Sequence, residues 1–127
     1  MQGDERDARS SSPDPAVERS LKKSSQFRRV FSGGRRYRGT AFRAVFIRNT
    51  LGVIRLGFSL SAKSGNAVER NRFRRRIRSL SREMDVCIGA DVVILPQGKL
   101  GGKMWTDIRE EFDRLLEDID RTLQEKR

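Results

Sequence analysis

The chain has 127 residues, 35% of them hydrophobic, with 28 Lys and Arg against 17 Asp and Glu for a net charge of +11. This suits one domain with a modest core and directs the molecule to a polyanion: nucleic acid or, as the lesser alternative, an anionic membrane surface. The absence of histidine and the single cysteine, Cys87, remove the commonest general acid/base, the usual zinc ligand sets and any intrachain disulfide, and make the reducing cytoplasm the simplest location.

Residues 1–18 carry a net −3 and are polar, with three serines in a row and two prolines. They hold too little apolar surface to offset ordering and read as a disordered tail. The opening MQGDERDARSSSPDP has no apolar segment of the kind a secretory signal needs. No stretch of the chain reaches the roughly 18 apolar residues of a membrane span. Residues 19–127 then form the single folded domain.

From Lys22 to Ser32, Phe27, Val30 and Phe31 share one face of a short helix. Ser24 or Ser25 is the expected cap, and Gly33-Gly34 the stop. A short strand is possible near Tyr37. Two strands follow, Ala41–Ile47 and Ile54–Ala62, with Phe42, Ala44 and Phe46 and then Leu56, Phe58 and Leu60 predicted to share a core. The intervening Asn49–Gly52 is short enough for an antiparallel hairpin. The opposite face of the second strand is small and polar, suited equally to a ligand backbone or to solvent.

After the turn Lys63-Ser64-Gly65, Asn66 and Glu69 have the spacing of a capping box, and a helix is expected from Ala67 to about Met84, roughly 27 Å long. Phe73, Ile77, Leu80 and Met84 form its apolar stripe. Asn71, Arg75, Arg78 and Arg82 lie opposite, Arg72 and Arg74 on the sides, and Arg70 and Arg76 beside the stripe. Residues 19–82 hold nineteen Lys and Arg and one acid, Glu69, so seven arginines between Arg70 and Arg82 have almost no local counter-charge. Like charges four apart each cost roughly 0.2–0.5 kcal/mol, and guanidinium forks suit bidentate phosphate contact. The segment therefore reads as a nucleic-acid surface. No helix-turn-helix, zinc or zipper pattern accompanies it, which favours folded RNA over a DNA groove.

Ala90–Pro96 is a continuous apolar run with Asp91 near its start, a buried strand. A glycine-rich loop, residues 97–103, leads to a last helix from near Thr106. Its stripe is Ile108, Phe112, Leu115, Leu116, Ile119 and Leu123. Asp107, Glu110, Glu111, Asp113, Glu117, Asp118 and Asp120 are assigned to its outer face, as a solubilising surface rather than a metal site. The order α-β-β-α-β-α gives an α/β (α+β) two-layer sandwich, helices on a small mixed β-sheet.

The stretch S-A-K-S-G-N-A-V-E-R-N-R-F-R-R-R-I-R resembles the signature of the protein subunit of bacterial ribonuclease P. Gly65, Asn66, Ala67, Arg70, Asn71, Arg72, Arg74, Arg75 and Arg78 match it. L-K-K-S-S-Q-F-R-R-V-F before it, A-D-V-V-I after it and W-T-D-I-R-E-E-F-D-R-L-L at the end match in order and spacing, so the resemblance covers about residues 19–123. Two departures stand out: Ala62 where the family often has a second lysine before Lys63, and Leu95-Pro96 where it often has a basic residue.

The resemblance implies a catalytic RNA that removes the 5′ leader of precursor tRNA with its own bound Mg2+, the protein holding no metal or cofactor and no catalytic residue. It implies RNA binding by Lys63, Asn66, Arg70, Asn71, Arg72, Arg74, Arg75 and Arg78. It implies a leader cleft between the first helix and the sheet, with Lys23, Phe27, Arg28 and Phe31, and Lys22 and Arg29 nearby. It further implies one protein per RNA and a left-handed βαβ crossover. Asn71 either contacts RNA or braces a neighbour, and Phe27 and Phe31 either stack on bases or belong to the core. Cys87 and Trp105 read as packing. The alternatives are a ribosomal or RNA-chaperone protein without a catalytic partner, and a protein nuclease, which would need a carboxylate cluster that the basic half lacks.

Overall fold

The computed structural model describes residues 19–83 and 88–125. The expected tail, Met84 and Cys87 lie outside them. In chain order the elements are α1 (Ser24–Gly33), β1 (Arg35–Arg38), β2 (Phe42–Arg48), β3 (Ile54–Phe58), a 3-10 turn (Ala62–Ser64), α2 (Ala67–Glu83), β4 (Ala90–Pro96) and α3 (Trp105–Glu125). The short strand near Tyr37 is β1.

The four strands form one mixed sheet in the order β1-β2-β4-β3. β2 is antiparallel to β1 and β4, while β3 runs parallel to β4. The expected β2–β3 hairpin does not form. Ala90, Val92, Val93 and Ile94 are all buried, and a strand apolar on both sides belongs in the middle of a sheet. β4 therefore inserts between β2 and β3. The Asn49–Gly52 link turns the chain without pairing its flanks: the Asn49 side chain accepts from Leu51 N–H (2.9 Å) and donates to Val53 C=O (3.1 Å). β3 also ends at Phe58, earlier than expected.

Strand alternation splits the core. Phe42, Ala44, Phe46, Leu56, Val92 and Ile94 face α2 and α3, meeting Phe73, Ile77 and Leu80 of α2 and the six-residue stripe of α3. Phe58 and Leu60 pack against the same cluster, as predicted. The other face carries Val45 and Val93, against which Val30 of α1 and Leu21 pack. α1 is thus a lone helix on the second face. It also covers the small face of β3: a Cβ on Gly57 would lie 2.8 Å from the Phe27 ring, so that face holds protein.

Two local readings need correction. The N-cap of α1 is Lys23, with neither Ser24 nor Ser25 in that role; the Gln26 side chain instead reaches back to the N–H groups of Lys22 and Lys23 (2.8 and 2.9 Å). Glu111 is not on the outer face of α3. It is 2% exposed, and its carboxylate accepts from the N–H groups of Thr40, Ala41 and Phe42 and from the Thr40 hydroxyl, at 3.0–3.3 Å. The turn between β1 and β2 has spare backbone donors, and a buried carboxylate satisfies several at once. Gly39 is required there, because a Cβ would fall 1.6 Å from Glu111 Oε2.

Candidate nucleic-acid interface

The entry to α2 is built as its sequence dictates. Glu69 N–H donates to Asn66 Oδ1 (2.8 Å), and Asn66 N–H donates to Glu69 Oε1 (2.9 Å), a reciprocal capping box. This commits the one acid of the helix's N-terminal half to the backbone. Phe73, Ile77 and Leu80 then bury one edge and hold the helix on the sheet.

The arginines divide into braced and free. Arg74 donates to Asn71 Oδ1 (2.8 Å), so Asn71 braces a neighbour. Arg70 Nε bonds weakly back to Asn66 C=O (3.4 Å). Arg78 donates to the Ser20 hydroxyl and lies over the Phe58 ring, its guanidinium carbon 5.3 Å from the centroid. It is thus drawn to the β3 side, away from the outward face where helical spacing puts it. Arg76 sits 4.9 Å over the Trp105 ring. Arg72, Arg75 and Arg82 are exposed and have no hydrogen bond or ion pair among the described residues. Lys63 is exposed on the 3-10 turn before the helix. Asn66 is exposed, with its side-chain oxygen taken by the cap.

A second basic surface lies on the α1 face of the sheet. A cleft of about 260 Å³ is lined by Phe31, Arg36, Arg38, Arg43, Val45 and Leu95 among others. Phe31, 37% exposed, stands at its edge. Phe27 does not line it; its ring packs with the Val30, Val45 and Val93 cluster. Lys23, the N-cap of α1, and Arg28 within it are exposed but also lie outside its lining. Arg36, Arg38 and Arg43 are residues that sequence reasoning missed. Arg38 stands directly opposite Arg43 across the β1–β2 ladder, and like charges so placed repel. The available signal was alternation: Arg43 is in phase with Val45, and R-R-Y-R turns alternate arginines to the same side.

Asp91 ties α1 to the sheet. It is 1% exposed on β4 and accepts from Arg55 through both oxygens (2.8 and 2.7 Å) and from Asn49 Nδ2 (2.8 Å). Arg29 of α1 reaches the same carboxylate (3.2 Å) and the Arg48 carbonyl (3.0 Å), pinning α1 in place. Burial alone would raise the Asp91 pKa; the bonds from Arg55 and Asn49 and the charges of Arg55 and Arg29 outweigh it and hold it below the ordinary value.

The sequence model of the family described as Ribonuclease P matches residues 16–120. The chain belongs to the ribonuclease P protein family. The ribonuclease P protein component of Natranaerobius thermophilus is 37% identical over 98 residues, covering 75% of this chain and 84% of that protein. That of Thermoanaerobacter sp. strain X514 is 35% identical over 98 residues, covering 76% and 84%. Among solved structures, the Thermotoga maritima RNase P protein superposes with a TM-score of 0.57 at 25% identity, covering 83% of this chain and 92% of that one. A Staphylococcus aureus RNase P protein mutant shares the fold, with a TM-score of 0.70 at 24% identity over 80% and 88% of the two chains. As a ribonuclease P protein, the chain is the protein part of a ribonucleoprotein endoribonuclease of tRNA processing, and its partner is an RNA subunit. Among the described residues no helix is long and apolar enough to cross a membrane.

Proposed function

We propose that α2 binds the catalytic RNA of ribonuclease P and that the cleft beside α1 binds the 5′ leader of precursor tRNA, one protein acting with one RNA in the cytoplasm. The RNA performs the hydrolysis with its own Mg2+, and the protein supplies cations where leader and RNA phosphates would repel. Lys63, Arg70, Arg72, Arg74 and Arg75 face the RNA, Arg78 adds its charge from the β3 side of the helix, and Asn66 and Asn71 shape the helix surface. Phe31, with Arg36, Arg38 and Arg43, receives the leader. Lys23 and Arg28 extend its field, and Phe27 supports the helix from below.

One observation carries this reading. The helix spends its only N-terminal acid on its own cap and leaves Arg72, Arg75 and Arg82 without an anionic partner among the described residues. Such a surface is completed by phosphate. The test is reconstitution with the cognate catalytic RNA at low Mg2+. Strong stimulation of leader removal is expected; no stimulation sinks the proposal, and cleavage by the protein with no RNA present would replace it with a protein nuclease.

A further inference from the structure

A pocket of about 250 Å³ opens between α2 and the loop that leads into α3. Its walls include Glu69, Arg72 and Arg76 from α2, Lys103 from the loop and Trp105 from the start of α3. Glu69, Arg72 and Arg76 fall at i, i+3 and i+7, one flank of the helix. The loop is fixed against the helix entrance by a 2.7 Å bond from Leu100 N–H to Ser64 C=O. The position is thus set by backbone as well as by side chains.

Its chemistry is that of a nucleotide site. Trp105 is partly buried against the main core, and the Arg76 guanidinium lies over its ring. A guanidinium plane and an indole form a stacking platform for an unpaired base. Arg72 and Lys103 supply cations at the rim for the phosphate, with Arg72 lacking any partner among the described residues. Glu69 argues against bare phosphate as the occupant. Its Oε1 serves the cap, while Oε2 makes no hydrogen bond among the described residues and would repel an anion. A carboxylate oxygen so placed can accept an N–H from a base edge. The volume lies below the roughly 300–1,000 Å³ of ordinary small-molecule pockets, room for one ring system.

We infer that this pocket receives a single unpaired nucleotide of the catalytic RNA, its base stacked on Arg76–Trp105 and its phosphate between Arg72 and Lys103. The inference rests on the reading of α2 as the RNA-binding helix. The pocket lies on the α2/α3 side of the sheet, across from the α1 cleft, which assigns it to that RNA and not to the leader.

Trp105 is the only tryptophan in the chain, so its fluorescence reports on this site alone. Titrating the full chain with catalytic RNA should quench or shift Trp105 emission, whereas a single-stranded leader oligonucleotide or inorganic phosphate should leave it unchanged. Arg76→Ala, at an exposed position, and Trp105→Ala should each weaken affinity for the catalytic RNA, Trp105→Ala by roughly 5- to 150-fold, the range for losing one stacked base. Trp105→Phe should retain most of the affinity, which separates stacking from a folding defect. Emission that does not respond to the catalytic RNA, or responds only to the leader, overturns the inference. So do Arg76→Ala and Trp105→Ala proteins that bind like the parent. If those two bind normally while Arg75→Ala binds weakly, the pocket fails and the reading of α2 stands; if the catalytic RNA does not bind the parent protein, both fail.

Discussion

Asp91 is an acid inside an apolar strand, and its surroundings decide what it costs. Removing this buried carboxylate leaves Arg55, 17% exposed, without its anion and takes an acceptor from Asn49 and Arg29, worth about 1.5–3 kcal/mol. Asp91→Ala should lose stability on that scale by denaturant unfolding. Arg29→Ala should lose about 1 kcal/mol or less, because Arg29 is half exposed and Arg55 still holds the carboxylate. The pH dependence has a definite sign. The folded pKa of Asp91 lies below its ordinary value of 3.8, so its contribution is full above that value and disappears as pH falls through the folded pKa. Acid unfolding below about pH 4 should therefore flatten in Asp91→Asn, which starts from lower stability at neutral pH. An acid limb unchanged by the substitution would mean that other carboxylates govern it. The same scale shows what single letters hide. The crowd of acids on α3 points Glu111 to solvent, yet it stands three residues after Ile108 and four before Leu115, on the edge of the buried stripe. Its role depends on the donors of residues 40–42, which sequence periodicity does not display.

At the scale of elements, helical period and capping chemistry were the most readable features. The Asn66–Glu69 box, the Phe73, Ile77 and Leu80 edge and the whole α3 stripe appear where their spacing puts them, because these signals are local. Strand pairing was not readable in the same way. Asn49–Gly52 has hairpin length, but β4, arriving from more than thirty residues downstream, takes the central position because it is apolar on both faces. Arg78 departed from its helical-wheel position for a comparable reason, the attraction of Phe58 and Ser20 on a neighbouring element. Two predictions belong here. Glu111→Ala should cost about 3 kcal/mol, since several turn donors lose one acceptor, and the loss should appear in thermal unfolding. Arg75→Ala, on the open face of α2, should leave stability within about 0.5 kcal/mol of the parent. It should flatten the slope of log affinity for the catalytic RNA against log salt by about one. An unchanged slope would make Arg75 a solvated charge.

For the whole molecule, the segregated charge of the sequence becomes two cationic surfaces on opposite faces of one sheet. α2 and the Trp105 pocket lie on one side; Phe31, Arg36, Arg38 and Arg43 lie on the other. The composition gave the total field, and the fold divides it between two ligands. Phe31 and Arg75 share no partner among the described residues, so changes at them should act independently, with free energies adding to within about 0.3–0.5 kcal/mol. Phe31→Ala should weaken binding of precursor tRNA by about 1–3 kcal/mol while sparing mature tRNA, which has no leader to stack. Arg75→Ala should weaken assembly with the catalytic RNA equally for both. Measuring the two single variants and the double variant against precursor and mature tRNA separates these roles. A Phe31→Ala protein that loses stability rather than precursor discrimination would place that ring in the core, and strong non-additivity would mean that the two faces bind one continuous ligand.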